Sequence, residues 1–290
     1  MKLLLITNLY PPQELGGYGR SMADFAWGLQ QRGHRIQVLT SDAPYLGASS
    51  DGPSGEPVER CLRLKGSFEG KLTIEQDPQR CAAVDRHNQQ AIEHWLRAGA
   101  WDGVLVGNID LLGAPLLAPL VAASLPVAHH IGFVAPPFGA DELPSSVHYT
   151  LVAASQAVRH GLVQAGLPVA AAPVVYPGAR VDCFGSAPTG RTLPPPLGGG
   201  SSGPLGSRSN PFKVCFAGLL MGSKGPHTLV EALILLHQQG VQVQANLAGG
   251  SFQAGYREQL DQLLSQAGLD GVVSFVGQLT RPQLARFFRL

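Results

Sequence analysis

The stretch from Gly185 to Asn210, GSAPTGRTLPPPLGGGSSGPLGSRSN, constrains the fold more than any other part of the chain. It is dominated by Gly, Pro and Ser, and such a segment buries too little apolar surface to offset the entropy of ordering it. It therefore reads as a linker. It divides the 290 residues into an N-terminal domain, 1–184, and a C-terminal one, 211–290, with 185–210 between them. The same succession of elements begins on each side. In the first, Lys2–Thr7 reads as a short apolar strand, NLYPPQELGGYG as a loop, RSMADFAWGLQQRGH as a helix and RIQVLTSD as a second strand. Met22, Phe25, Ala26 and Leu29 fall at helical spacing, and Gly33 supplies the stop. Strand, glycine loop, helix and strand within about 40 residues is the βαβ unit of a parallel sheet. A Gly/Ser/Pro-rich loop is expected over Pro44–Pro57 and a helix over Arg80–Ala98, and DGVLVGN, LPVAHHIG, YTLVAAS and AAPVVYPG read as further buried strands.

Beyond the linker, FKVCFAGLL, PHTLVEALILLHQQG, VQVQANLAGG, YREQLDQLLSQAGL and VVSFVGQL alternate strand with helix. TRPQLARFFRL opens a further helix, which Thr280 can cap and Pro282 can start. The expected fold class is α/β, with two Rossmann-like, doubly wound parallel-sheet domains. The second is expected to be incomplete: it offers three strands, and its last helix carries Leu284, Phe287 and Phe288 on a face that asks for a partner layer.

Composition removes several functional classes. Hydrophobic residues make up 44% of the chain, enough for a core in each domain, but charged ones only 14%, and the formal net charge is +1. No broad field favours a nucleic-acid partner or an anionic membrane. Cys61, Cys81, Cys183 and Cys215 lack CxxC spacing, which argues against a zinc site or a disulfide framework and for a reducing, cytoplasmic setting. The apolar run at the start, Leu3–Ile6, is too short for a signal-peptide core. Val104–Ala128 is the most lipid-like segment, yet Asp110 and three prolines divide it into strand, loop, helix and strand. Peripheral contact with the inner membrane face stays open.

The chemistry is expected in two glycine sets, each directly after a first strand: Gly16, Gly17 and Gly19, and Gly218, Gly222 and Gly225. Glycines there let backbone N–H groups and the positive end of the next helix approach an anion. Neither set has a standard nucleotide spacing. GGYGRS lacks GxGxxG, which speaks against a dehydrogenase or epimerase binding NAD there, and GLLMGSKG places its lysine wrongly for GxxxxGK[ST].

With their surroundings, these loops resemble glycosyltransferase family 4, the retaining, nucleotide-sugar-dependent sugar transferases of the GT-B fold. The resemblance is carried by NLYPPQELGGYGR, RGHRIQVLT, HHIGF, LVAASQAVRHGLVQAGL, VVYPGARVDCF and, above all, FAGLLMGSKGPHTLVEAL. It spans nearly the whole chain. It implies a nucleotide-diphosphate sugar seated mainly on the C-terminal domain and a saccharide or lipid-linked acceptor on the N-terminal one, as in polysaccharide biosynthesis. Gly16, Gly17, Gly218, Lys224 and Gly225 would approach the donor diphosphate. Lys224 would neutralise the charge building on the leaving group, a task for a fixed cation that calls for neither metal nor cofactor. His130, or its neighbour His129, would hydrogen-bond the transferred sugar, since strand alternation lets only one of the two face the cleft. Tyr18 and His129 stand as further sugar or acceptor contacts.

The sequence also departs from the family. Leu219 stands where an arginine usually contacts the diphosphate, and YPG replaces Asn-Gly before Asp182. The family's pair of glutamates on the donor would lie downstream of Leu290. The resemblance thus implies a C-terminally truncated transferase, inactive unless a complementing chain supplies the rest. Its alternative is a non-catalytic carbohydrate- or nucleotide-binding protein with a degenerate GT-B cleft.

Overall fold

A computed structural model describes residues 1–69, 71–135, 138–185 and 204–289, without the side chain of Tyr18. The chain forms two compact units, Met1–Ala179 and Arg180–Leu290. Arg180–Phe184, placed with the N-terminal domain by sequence, thus groups with the second unit. Most of the expected linker, residues 186–203, lies outside the described residues.

The first unit runs β1 (Lys2–Ile6), α1 (Tyr18–Gln30), β2 (Arg35–Ser41), β3 (Val58–Leu62), β4 (Gly66–Ser67), β5 (Thr73–Ile74), α2 (Pro78–Ala98), β6 (Gly103–Val106), α3 (Leu117–Ala122), β7 (Val127–Ile131), β8 (Tyr149–Ala153) and α4 (Gln156–Gln164). Six of these strands form one parallel sheet in the order β3-β2-β1-β6-β7-β8, while β4 and β5 make a separate antiparallel hairpin. With the hairpin left out, the order is 3-2-1-4-5-6, the doubly wound arrangement whose direction reverses between β1 and β6. The alternation of β1 assigns its side chains to two cores. Leu4 and Ile6 join a cluster with Val104, Val106, Ile92 of α2 and Leu117 and Leu120 of α3. Leu5 points to the other face, into a cluster with Met22 and Ala26 of α1 and Val38 of β2.

Two helix starts follow from their capping residues. The Asp77 carboxylate accepts from the Gln79 and Arg80 amides at the head of α2, at 2.8 and 3.3 Å. The Ser155 hydroxyl accepts from the Val158 amide at 3.1 Å at the head of α4.

The second unit runs α5 (Val181–Phe184), β9 (Phe212–Ala217), α6 (Pro226–Gln238), β10 (Val243–Ala248), α7 (Tyr256–Gln266), β11 (Val273–Gly277) and α8 (Arg281–Phe287). Its three strands are parallel in the order β11-β10-β9. Val230 and Leu233 of α6 and Leu260 and Leu264 of α7 cover Ala245 and Leu247 of β10.

Three expectations change. AAPVVYPG is not a strand: only Val174 bridges to Ala153, because Pro173 and Pro177 have no N–H to extend the ladder. The apolar face of α8 is partly covered within its own unit. It packs on α5, and Phe287 is buried while Phe288 stays 51% exposed. Finally, the Pro44–Pro57 loop leads into β3 and the β4–β5 hairpin, elements not expected from the sequence.

Candidate functional site

In an open doubly wound sheet, ligands bind beyond the carboxyl ends of the strands where the winding reverses. In the first unit this is the end of β1, and the loop that follows is held tightly at its root. The Asn8 amide donates to the Asn108 carbonyl at 2.7 Å, and the Asn8 carbonyl accepts from the hydroxyls of Thr40 and Ser41, at 3.0 and 2.5 Å. The Asn8 side-chain amide donates to Asp110, whose carboxyl is pushed above its ordinary range by burial.

Arg60 on β3 fixes the next turn. It donates to the carbonyls of Tyr10 and Pro11, at 3.1 and 3.2 Å, and to the side-chain oxygen of buried Gln13 at 3.1 Å. The loop then opens at its expected anion-binding end. Gly16 has φ +69°, the left-handed region that favours glycine. Gly17 caps α1 without any side-chain hydrogen bond, and a Cβ placed there would meet nothing within 4 Å. The amides at the head of α1 are thus free of a side-chain cap among the described residues, and the space beside Gly17 is open.

His129 and His130 sit side by side on β7 and face opposite ways. His129 is 1% exposed, and its Nδ1 lies 2.6 Å from the Tyr149 hydroxyl beside Phe138. Burial drives its pKa down to about 3, against a smaller upward pull from a Gly107 backbone hydrogen bond, so the ring is neutral. His130 donates through Nε2 to the Val175 carbonyl at 2.8 Å and stands edge-on to Phe25 of α1 at 5.0 Å. It is 7% exposed, and burial lowers its pKa too. Both rings therefore have structural partners, and that of His129 is fully enclosed.

In the second unit, the structure brings Gly218, Lys224 and Gly225 together at the end of β9. A Cβ on Gly218 would lie 3.1 Å from the Phe216 ring and 4.0 Å from the Lys224 Cβ. A 3-10 turn over Gly222–Lys224 carries the lysine, which is exposed and forms no ion pair among the described residues. Gly225 follows at φ +71°, ψ +23° and caps α6 with no side-chain hydrogen bond. An exposed ammonium beside an uncapped helix N-terminus forms an anion cradle.

The sequence reading missed the opposite wall. Beyond β10, Gly249 has φ +153°, and Leu220 pairs with the following segment through the Gly250 carbonyl at 3.0 Å. Gln253 reaches back, and its side-chain oxygen accepts from the Gly222 amide at 3.1 Å. The signal was present as a third glycine loop, AGGSFQAG, between a strand and a helix. Among the described residues, no three His, Cys, Asp or Glu side chains gather as a metal site.

No family model matches the sequence, and no curated protein matches it. Solved structures do. HepE from Anabaena, in complex with UDP and glucose, is 20% identical, with a TM-score of 0.63 over 98% of this chain and 71% of its own. The sucrose-phosphate synthase of Thermosynechococcus elongatus is 15% identical, with a TM-score of 0.67 over all of this chain and 73% of its own. The chain has their α/β fold. The same fold extends to the UDP-GlcNAc 2-epimerase of Neisseria meningitidis bound to UDP-GlcNAc, 10% identical with a TM-score of 0.51 over 99% of this chain and 75% of its own. Its parallel sheets and Rossmann-like units are those of the GT-B neighbours. Tyr18, the remaining expected contact, has its side chain outside the described residues.

Proposed function

We propose that the protein is a family 4-like retaining glycosyltransferase that takes a hexosyl group from a nucleotide-diphosphate sugar and passes it to a saccharide or lipid-linked acceptor. The second unit is the donor side and the first the acceptor side. One observation carries the reading: Lys224, exposed and without an ion pair among the described residues, stands beside Gly218 and the uncapped start of α6. That is an arrangement for a diphosphate. The UDP and UDP-glucose complexes of HepE support a nucleotide-sugar donor.

In the proposed reaction, the bond from the anomeric carbon to the diphosphate oxygen breaks and its electron pair stays on the phosphate. The acceptor hydroxyl oxygen bonds to that carbon and its proton passes to the departing diphosphate oxygen. Lys224 offsets the charge that appears on the leaving diphosphate, and this is the term worth most to the rate when it is pre-positioned. Gly17 offers open backbone on the acceptor side, with nothing within 4 Å of an added Cβ among the described residues, and Gly16 precedes it in the left-handed region. His130 is the better candidate for the sugar contact, because His129 is enclosed against Tyr149 and Phe138. The work is done in the cytoplasm or at the inner membrane face.

Leu219 supports a second reading. Without an arginine there, the cradle has one cation, which suits a protein that binds the nucleotide sugar without turning it over. The deciding experiment incubates the chain with nucleotide-diphosphate hexoses and a panel of saccharide acceptors and follows nucleotide release and product configuration. Binding of the nucleotide sugar is expected, with acceptor-dependent release and retained configuration once a complementing chain supplies the rest of the donor side. Binding without release even then selects the second reading. Interconversion of the sugar without an acceptor overturns both in favour of an epimerase.

A further inference from the structure

Within the first unit, a cavity of about 540 Å³ opens beside β3, between the turn after β2, the β4 strand of the hairpin and α2. Its walls bring together Arg60, Arg63, His87, Tyr45, Ser67 and Asp42. The two arginines are in different states. Arg60 is half-buried, and its hydrogen bonds go to neutral oxygens alone: those of Gln13, Ser41, Tyr10 and Pro11. Among the described residues it forms no ion pair, although the Asp42 charge acts on it from nearby. Arg63 is exposed; its backbone pairs with the Asn88 side chain, and its guanidinium makes no hydrogen bond or ion pair among the described residues. Nearby Lys65, by contrast, is neutralised by Asp85 at 2.6 Å.

The remaining wall is built to leave that charge in place. His87 donates through Nε2 to the Cys61 carbonyl at 2.9 Å, which fixes its ring. Burial raises the Cys61 thiol to about 11, so it adds no competing negative charge. Tyr45 accepts from the Ser67 hydroxyl at 3.3 Å and the Phe68 amide at 3.1 Å, which anchors the hairpin over the cavity. Asp42, the one carboxylate of the lining, is taken up by Gln13 at 2.9 Å. Two guanidinium groups against one carboxylate leave the cavity cationic. A planar fork with free donors matches an oxyanion better than it matches a neutral sugar hydroxyl.

We propose that this cavity binds an oxyanion, a phosphate monoester carried by the acceptor, with Arg63 as the residue that grips it. The inference rests on the reading of the first unit as the acceptor side. Arg60 gives it a route to the reacting centre, because the same guanidinium that lines the cavity holds the Tyr10–Gln13 turn leading to Gly16 and Gly17.

The test titrates inorganic phosphate, glucose 6-phosphate and octyl phosphate into the full chain by ligand-observed NMR, with glucose and octyl glucoside as neutral controls. The phosphorylated probes are expected to bind and the neutral ones not. Arg63→Ala should weaken phosphate binding about tenfold and Arg63→Lys less, since lysine keeps the charge but not the fork. Thermal unfolding should stay unchanged in both variants, because the guanidinium has no partner to lose among the described residues. Octyl phosphate binding above glucose 6-phosphate identifies a lipid headgroup as the source, and the reverse order a soluble sugar phosphate. Phosphates that bind no better than the controls, or an Arg63→Ala chain that binds like wild type, overturn the proposal. UDP titrated into the same wild-type samples reports the donor reading separately. Failure of the phosphates while UDP binds sinks this inference alone, and failure of UDP while the phosphates bind sinks the donor reading alone.

Discussion

Replacing Gly249 by alanine tests how the donor turn is built. Gly249 lies just past β10, and its N–H donates to the Gly277 carbonyl at 2.8 Å while its φ is +153°. A Cβ at this position would fall 1.7 Å from the Gly218 carbonyl oxygen and 2.7 Å from its carbon. Both are backbone atoms of the turn that carries Lys224, so no flexible side chain can yield. Gly218 is itself held by its amide on the Ala248 carbonyl at 2.9 Å. Accommodation requires the two strand ends to part by more than about 1 Å, at an overpacking cost of roughly 1–3 kcal/mol.

The backbone conformation, which L side chains rarely adopt, adds about 1–3 kcal/mol. The total, about 2–6 kcal/mol, is a large part of the stability of a small unit. Gly240→Ala is the control: Gly240 has φ +80° but nothing within 4 Å of the added carbon. It should cost only the left-handed penalty, about 1–2 kcal/mol. The assay is urea unfolding of the full chain, with hydrogen exchange on the β9 peptide to report this unit. Gly249→Ala should lose more stability than the control and should also weaken UDP binding. Equal losses in the two variants would refute the close approach of Gly249 to Gly218.

Two further substitutions and one titration follow. Tyr10 donates its hydroxyl to the fully buried Glu56, so Tyr10→Phe removes that donor and should cost about 1–3 kcal/mol in chemical unfolding. Ser155→Ala removes the cap of α4 and should cost about 1 kcal/mol. His129 has a folded-state pKa of about 3, below its ordinary 6.5, so the unfolded chain takes up a proton first as pH falls. Its contribution is complete above pH 6.5 and is lost on acidification at up to about 1.4 kcal/mol per pH unit. His129→Gln should flatten that part of the stability profile, and an unchanged slope would place the proton uptake elsewhere.

The sequence made the βαβ succession legible because helical and strand periodicities differ sharply in α1, α6 and α7 and in the apolar runs of β1 and β6. Thr280 was legible as the N-cap position of α8 for the same local reason. β3 was not: VERCL interleaves charged and apolar residues over only five positions at the sheet edge, and its partner register to β2 shifts. The β4–β5 hairpin pairs two residues with two, below what any pattern reveals. AAPVVYPG has the composition of a strand, but its prolines withhold the donors a ladder needs.

At the candidate site, Gly218, Lys224 and Gly225 could be read from a lysine and glycines set between a strand and a helix. Gly249 and Gln253 lie in a third glycine loop that was visible, but their part in the site, like that of Arg60, depends on contacts distant in sequence. The His129–His130 choice depended on which ring is enclosed, and alternation alone gives only that they differ.

The most direct measurement is calorimetric titration of UDP into the wild-type chain and into Lys224→Met. Lys224 makes no ion pair among the described residues, so its loss should leave thermal stability unchanged. Removal of its charge-assisted hydrogen bond should cost about 1.5–3 kcal/mol of binding, roughly ten- to a hundredfold in Kd. Saturable binding by wild type with that loss in Lys224→Met is the result this account expects. Equal affinity in the two chains, or no binding of UDP by wild type, would contradict it.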